Sequence, residues 1–211
     1  MTQSALTLFL PAALFAVGAI VARKYRNEWY FWTKPLPVAW ILVWFFLHLD
    51  QRAGSESAWI LTGLVLGLIG DILLLWKRSF LPGFVAFIGG HVAYVVAFAH
   101  SAWSLPLQFA LLAFVPAAIY LVLAVPRLRK RSALPVVVSY MIFENAMFLF
   151  ALNRDWDIGV FFASLGAFLF CLSDGFWGWN RFVRELENPG LFILGTYYPA
   201  QALIAWGVIY F

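Results

Sequence analysis

Charge is what this sequence has least of. Only 11% of its 211 residues are Asp, Glu, Lys or Arg, while 64% are hydrophobic. A soluble domain carries about 25% charged residues, so this chain lacks the polar surface to cover a core in water. Its single cysteine, Cys171, excludes intramolecular disulfides and cysteine-rich metal centres. Three histidines, His48, His91 and His100, form no HxxxH pair. The sequence also lacks a Gly-x-Ser-x-Gly nucleophile elbow, a Walker loop and a dinucleotide fingerprint. No metal and no other cofactor is therefore expected. No loop is long enough to hold a soluble domain, so residues 1–211 read as one transmembrane domain.

What the chain does have is long apolar blocks separated by short charged patches, the pattern of an all-α polytopic membrane protein. Eight spans are predicted, at about 4–22, 35–49, 58–76, 80–100, 104–125, 134–152, 158–179 and 190–211. The second is short, and Trp29, Tyr30, Phe31 and Trp32 would extend it into the interface, where aromatic rings settle. Basic residues precede no apolar run at the N-terminus; Arg23, Lys24 and Arg26 follow it instead, so the first segment reads as a retained helix. Net charge is +4, and the excess Lys and Arg set topology rather than bind nucleic acid.

The count of basic residues supports the spans. Arg23, Lys24, Arg26 and Lys34, then Lys77 and Arg78, then Arg127, Arg129, Lys130 and Arg131, then Arg181 and Arg184 follow the odd-numbered spans. Only Arg52 and Arg154 follow the even ones. The basic side is cytoplasmic by the positive-inside rule, which puts both termini outside, with a bacterial inner membrane as the expected location. A weak repeat runs through the chain at an offset of 103: Leu61-Thr62-Gly63 to Asp71 and Trp76 aligns with Ser164-Leu165-Gly166 to Asp174 and Trp179, and Tyr94 aligns with Tyr197. The expected architecture is thus two parallel four-helix repeats, about 1–103 and 104–211.

Ionisable groups inside a bilayer are costly and mark function. The buried candidates are Asp71, His91, Glu144 and Asp174, with Lys34 at one end of the second span. Asp71 precedes Trp76 by five residues and Asp174 precedes Trp179 by five, so each carboxylate sits roughly 7–8 Å inside the cytoplasmic helix end. Gly63, Gly67 and Asp71 share one helix face, and Gly159, Ala163, Ala167 and Cys171 form a small-residue stripe just before Asp174. Both acids are therefore expected to point into the bundle. Tyr197 and Gln201 share a face at i, i+4, with Tyr198 adjacent; His91 and Tyr94 share one at i, i+3; Tyr140 and Glu144 share one at i, i+4. Paired acids suit acid–base chemistry on an amphiphile, one holding a proton while the other stays ionised. The head group would lie among Lys34, Arg78 and Arg181. A carrier of a small amphiphile is the alternative reading of the same features.

An ordered set of segments carries a resemblance. Thr33-Lys34-Pro35-Leu36, Gly70-Asp71-Ile72-Leu73-Leu74, Phe87 through His91 to Tyr94, Ser173-Asp174, Arg181-Phe182 and Thr196 to Ile204 resemble the YhhN-like lysoplasmalogenases over almost the whole chain. Gly175-Phe176-Trp177 departs from the family's small or aliphatic residues after the second acid. The resemblance implies a hydrolase that cleaves the vinyl ether of a lysoplasmalogen, a lysophospholipid within membrane lipid, to a fatty aldehyde and glycerophospho-ethanolamine or -choline. It implies Asp71 and Asp174 as the catalytic pair. Lys34, His91, Tyr94, Tyr140, Glu144, Arg181, Tyr197, Tyr198 and Gln201 are the candidate substrate-binding residues.

Overall fold

A chain with this little polar surface has one economical way to cross hydrocarbon: helices, which satisfy every backbone N–H and C=O internally. The computed structural model describes residues 2–25, 27–49, 54–99, 104–128, 134–155 and 157–210. Arg26, Arg52, His100, Arg129, Lys130 and Arg131, named above as topology charges or histidines, lie outside the described residues.

The described residues form helices α1 (Thr2–Lys24), α2 (Tyr30–Thr33), α3 (Leu36–Leu47), α4 (Ser55–Leu73), α5 (Phe80–Phe98), α6 (Leu107–Ala113), α7 (Val115–Ala124), α8 (Leu134–Leu152), α9 (Ile158–Gly178) and α10 (Pro189–Tyr210). Among the described residues, six stretches are long and apolar enough to cross a membrane: Gln3–Lys24, Tyr30–Leu47, Ser55–Leu73, Lys77–Phe98, Ile158–Val183 and Pro189–Ile209. Val115–Arg127 and Val137–Leu152 are shorter apolar helices. The aromatic run at 29–32 does extend the second span, because α2 and α3 follow one another with only Lys34 and Pro35 between them. The fifth expected span is divided. α6 ends at Ala113 and α7 restarts with Pro116 in its first turn, where the missing N–H and the ring's clash with the preceding turn interrupt a helix.

Apolar side chains sort by partner rather than by avoidance of the outside. On α1, Leu6, Leu10, Leu14, Val17 and Val21 are exposed along one stripe, while Leu8, Ala12, Ala19 and Ala22 are buried on the other. A continuous exposed apolar face on a single chain is a membrane-facing surface. The protein is an integral membrane protein. Inside, α4 packs along α5 and α9 along α10, with α1 against α3 and α10, and α8 against α5 and α9.

Small residues bring these pairs close. A side chain at Gly207 would meet the carbonyl of Gly159 at 2.5 Å, and one at Gly166 would meet the carbonyl of Ala200 at 2.8 Å. The expected stripe of α9 therefore faces α10 at Gly159 and Ala163, whereas its last member, Cys171, turns to α8 and donates to the Glu144 carbonyl. The two ends of the bundle differ in chemistry. One carries the Arg154–Glu56 ion pair at 2.7 Å and the Asp157 cap of α9, whose carboxylate accepts from Val160 N at 2.7 Å. The other gathers the ends of α1, α4 and α9 with Arg23, Lys34 and Arg181.

Candidate active site

Asp71 sits in the last turn of α4 and is 2% exposed. Its carboxylate has two partners on other elements. Lys34 Nζ, from the α2–α3 junction, lies 3.3 Å from Oδ1 and also donates to the backbone carbonyl of Asp71 at 2.9 Å. Tyr197 of α10 donates to Oδ2 at 3.0 Å. Behind Tyr197 the chain of bonds continues: Gln201 Nε2 donates to the Tyr197 hydroxyl at 3.2 Å, and the Tyr94 hydroxyl donates to Gln201 Oε1. Tyr198 donates to the carbonyl of Lys34 at 2.8 Å, which fixes the junction carrying the lysine. The glycine face of α4 makes this possible. A methyl on Gly67 would stand 2.8 Å from Gln201 Nε2 and 3.3 Å from the Tyr197 hydroxyl, and Gly63 lies against the ring of Tyr94.

Asp174 of α9 has different company. His91 Nε2, from α5, lies 3.2 Å from its Oδ2. His91 is in turn held by Nδ1, 2.8 Å from the carbonyl of Phe87 one turn earlier. Glu144 of α8 completes a group in which one donor atom each from His91, Glu144 and Asp174 lies within 4.8 Å of the others, a compact set that a small cation would also fit. Aromatic rings enclose the group: His91 packs edge-on to Tyr140 at 5.3 Å and to Phe170 at 4.7 Å, and Phe84 stacks on Tyr140 at 4.9 Å.

Two cavities meet at these residues. One, of about 270 Å³, is lined by Arg23, Tyr30, Lys34, Asp71, Arg181 and Tyr197. The other, of about 300 Å³, runs between Ala113, Pro116, Ala117 and Tyr120 on one side and Met141, Phe148, Phe168 and Leu172 on the other. Phe84, Tyr140, Asp174 and Trp177 line both. The first has three cations in its wall, Arg23, Lys34 and Arg181; the second is largely apolar, its polar residues including Tyr120, Tyr140, Glu144, Asn145, Cys171 and Asp174. The short π-helical turn Trp179–Val183 that follows α9 carries Arg181, whose guanidinium lies 4.9 Å over the ring of Phe80.

Of the residues singled out in the sequence, Lys34, Asp71, Tyr140, Asp174, Arg181 and Tyr197 line the cationic cavity. Glu144 lines the apolar one. His91, Tyr198 and Gln201 are buried behind the walls, bonded to residues that line them, and Tyr94 stands one step further back, bonded to Gln201. Arg78 is exposed and outside both walls. Arg23 takes a place that sequence reasoning did not give it; it had been counted only as a topology charge, and its position at the end of α1 was the available signal.

A helical membrane bundle enclosing a carboxylate-lined junction of a charged and an apolar cavity defines the class of this protein. The chain belongs to the YhhN family, which it matches over residues 29–208. It is 36% identical over 161 residues to lysoplasmalogenase TMEM86B of Homo sapiens, covering 75% of this chain and 67% of that protein. Against lysoplasmalogenase TMEM86B of Sus scrofa it is 33% identical over 177 residues, 83% of this chain and 73% of the relative. Lysoplasmalogenase TMEM86A of Homo sapiens is 26% identical over 185 residues, 83% and 76% of the two chains. No solved structure matches the chain.

Proposed function

We propose that this protein is a lysoplasmalogenase, a hydrolase that adds water across the vinyl ether of a lysophospholipid. The relatives' names support the reaction class and do not favour the carrier reading. The observation that carries the reading is the junction of the two cavities at Asp174. A lysoplasmalogen is a charged head group and an alkenyl chain joined at a vinyl ether. With the head group among Arg23, Lys34 and Arg181 and the chain in the apolar cavity, the vinyl ether falls at the shared wall of Phe84, Tyr140, Asp174 and Trp177.

The partners of the two acids support a division of labour. Asp71, beside Lys34 and accepting from Tyr197, is arranged as a carboxylate. Asp174 also has a tyrosine partner, Tyr140, but where Asp71 has an ammonium it has the carboxyl of Glu144 and the imidazole of His91, an arrangement that suits a protonated carboxyl. Asp174 then gives its proton to the alkenyl carbon one removed from the ether-bearing carbon. The π pair forms the new C–H bond and leaves an oxocarbenium ion, which the Asp71 carboxylate stabilises. Water adds to the cationic carbon and loses its proton to Asp71, giving a hemiacetal. In its collapse the hemiacetal hydroxyl returns a proton to Asp174, Asp71 protonates the departing glycerol oxygen, and the C–O bond breaks. Fatty aldehyde and glycerophospho-base leave, and both acids are reset. No covalent enzyme intermediate is formed, so no serine nucleophile is required.

The same reading takes the chain as eight crossings in two parallel four-helix halves, in a bacterial inner membrane, with both termini outside. The packing supports the two-half arrangement alone: α4 on α5 corresponds to α9 on α10, α3 on α4 to α8 on α9, and α3 on α10 to α8 on α5. The deciding experiment is to incubate the purified protein in D₂O with lysoplasmenyl-ethanolamine. Aldehyde carrying one deuterium on the carbon next to the carbonyl is expected. Aldehyde without it would refute proton transfer to carbon, and no aldehyde at all would refute the activity.

A further inference from the structure

Glu144 has no task in the mechanism above, yet it is 5% exposed and faces Asp174 across the wall of an apolar cavity. The geometry of His91 makes that position informative. A carbonyl only accepts, so the 2.8 Å contact with the Phe87 carbonyl places the ring hydrogen on Nδ1. In the neutral ring, Nε2 then presents a lone pair, and it is aimed at Asp174 Oδ2 from 3.2 Å. Neither of these two buried atoms has a hydrogen-bond partner in the described structure. With the Glu144 carboxyl in the same small group, three lone-pair-bearing atoms face one another inside the bundle. Such a set holds together only around positive charge. Lys34, the buried ammonium of the site, is bonded to Asp71 instead.

The titratable groups around the pair come from every neighbouring element: His91 from α5, Tyr120 from α7, Tyr140 of α8, Cys171 of α9, and Asp71 and Tyr197 across the cationic cavity. None of them carries a fixed positive charge, and Arg23, Lys34 and Arg181, which line the cationic cavity with Asp174, form no ion pair with it among the described residues. Protons are therefore the available positive charge.

We propose that Glu144 and Asp174 form a proton-sharing carboxyl pair, fixed on its inner side by His91, and that this pair is the acid that protonates the vinyl ether. This rests on the lysoplasmalogenase reading. Two carboxylates in mutual contact hold one proton between them and give it up to a substrate as a unit. Glu144 thus keeps Asp174 loaded at the start of each turnover, and the hemiacetal proton returning to Asp174 restores the shared state. Glu144 is a positioning residue for the proton rather than the atom that delivers it.

Infrared spectroscopy of the purified protein at neutral pH tests the pair without any variant. A protonated-carboxyl band is expected that disappears in Asp174→Asn and changes frequency in Glu144→Gln. Kinetics supply the second arm. Glu144→Gln should lower kcat by at least about tenfold, leave KM within about twofold, and move the alkaline limb of the kcat profile to lower pH, because the second negative charge that retained the proton is gone. Glu144→Asp should recover part of the loss. Affinity for a saturated alkyl-ether lysophospholipid, which lacks the reactive double bond, should match wild type and establishes that Glu144→Gln folds. The absence of a protonated-carboxyl band would overturn the proposal. So would an unchanged pH profile in Glu144→Gln, or one equivalent of divalent metal found by elemental analysis and lost in Glu144→Gln. A wild-type protein that releases no aldehyde would refute the activity instead, while the infrared band would still report on the pair.

Discussion

Lys34 holds Asp71 at two points: its ammonium donates to that residue's backbone carbonyl at 2.9 Å and lies 3.3 Å from its carboxylate. The carbonyl is free for it because α4 ends there. Leu75 N donates to Ile72 rather than to Asp71, so the lysine caps a helix end whose dipole also favours a cation. Lys34→Met would therefore leave a buried carboxylate with only its Tyr197 bond and no counter-charge, and a helix-end carbonyl without its donor. Breaking a buried pair from one side costs about 3–5 kcal/mol, and a fall in thermal midpoint measured in detergent is expected. Adding Asp71→Asn should restore part of that midpoint, since a neutral amide needs no counter-charge, while leaving the protein inactive. Equal midpoints for Lys34→Met and the double variant would argue that the two groups do not interact.

Asp71→Asn and Asp174→Asn alone are expected to lower aldehyde release by roughly 10²–10⁴-fold, the range over which a positioned acid or base contributes. Asparagine keeps the shape of each side chain, so binding of the saturated ether analogue should persist in both. Full activity in either variant would remove that residue from the catalytic pair.

The polar face of α10 was legible in the sequence because helical periodicity is a local rule. Tyr197 and Gln201 stand one turn apart, and the structure uses that spacing to run a line of bonds from Tyr94 to Asp71. The glycine face of α4 was legible for the same reason. Periodicity orders residues around one helix but says nothing about which helices adjoin. The meeting of His91, Glu144 and Asp174, from α5, α8 and α9, was therefore not foreseeable from spacing. Arg23 was misjudged on other grounds. A cation at a helix end has a sufficient reason to exist in topology, and only the packing of α1 against α10 shows that it also faces a cavity. Pro116 was plain in the sequence; its effect, the division of α6 from α7, depends on whether neighbours restore the lost bond.

Gly67 offers a test of how tightly the Asp71 arm is built. An alanine methyl there would stand 2.8 Å from Gln201 Nε2, closer than a carbon tolerates, and would press on the Tyr197 hydroxyl at 3.3 Å. Overpacking of this kind costs about 1–3 kcal/mol, so Gly67→Ala should fold with a lowered midpoint. Its larger effect should be on kcat, because Tyr197 would be displaced from Asp71. Gly195→Ala, where nothing stands within 4 Å of the added carbon, is the matched control and should behave as wild type.

Arg23 and Arg181 are the cations of the cationic cavity not engaged by Asp71, and on the proposed reading they hold the head group. Replacing either by Gln should raise KM for lysoplasmenyl-ethanolamine with little change in kcat, the signature of lost ground-state binding. A 1-alkenyl glycerol, which has no phosphate, should show the same KM in the variants as in wild type. Equal KM effects on both substrates would move the phosphate away from these arginines.

The apolar cavity should govern placement rather than affinity. A substrate chain entering it leaves lipid or detergent, not water, so the transfer of about 0.8 kcal/mol per methylene that drives burial from water is largely absent. What the cavity can supply is position: it holds the alkenyl carbon against the carboxyl of Asp174, and displacement by an ångström can cost about a hundredfold in rate. Ala117 lines this cavity and is not one of the catalytic groups described above. Ala117→Trp should therefore lower kcat by up to about a hundredfold for long-chain lysoplasmalogen while KM changes little. A substrate with a chain short enough to stop before residue 117 should keep its wild-type kcat. If short and long substrates lose rate equally, the chain does not lie in this cavity, and the head group and vinyl ether would have to be placed by the cationic cavity alone.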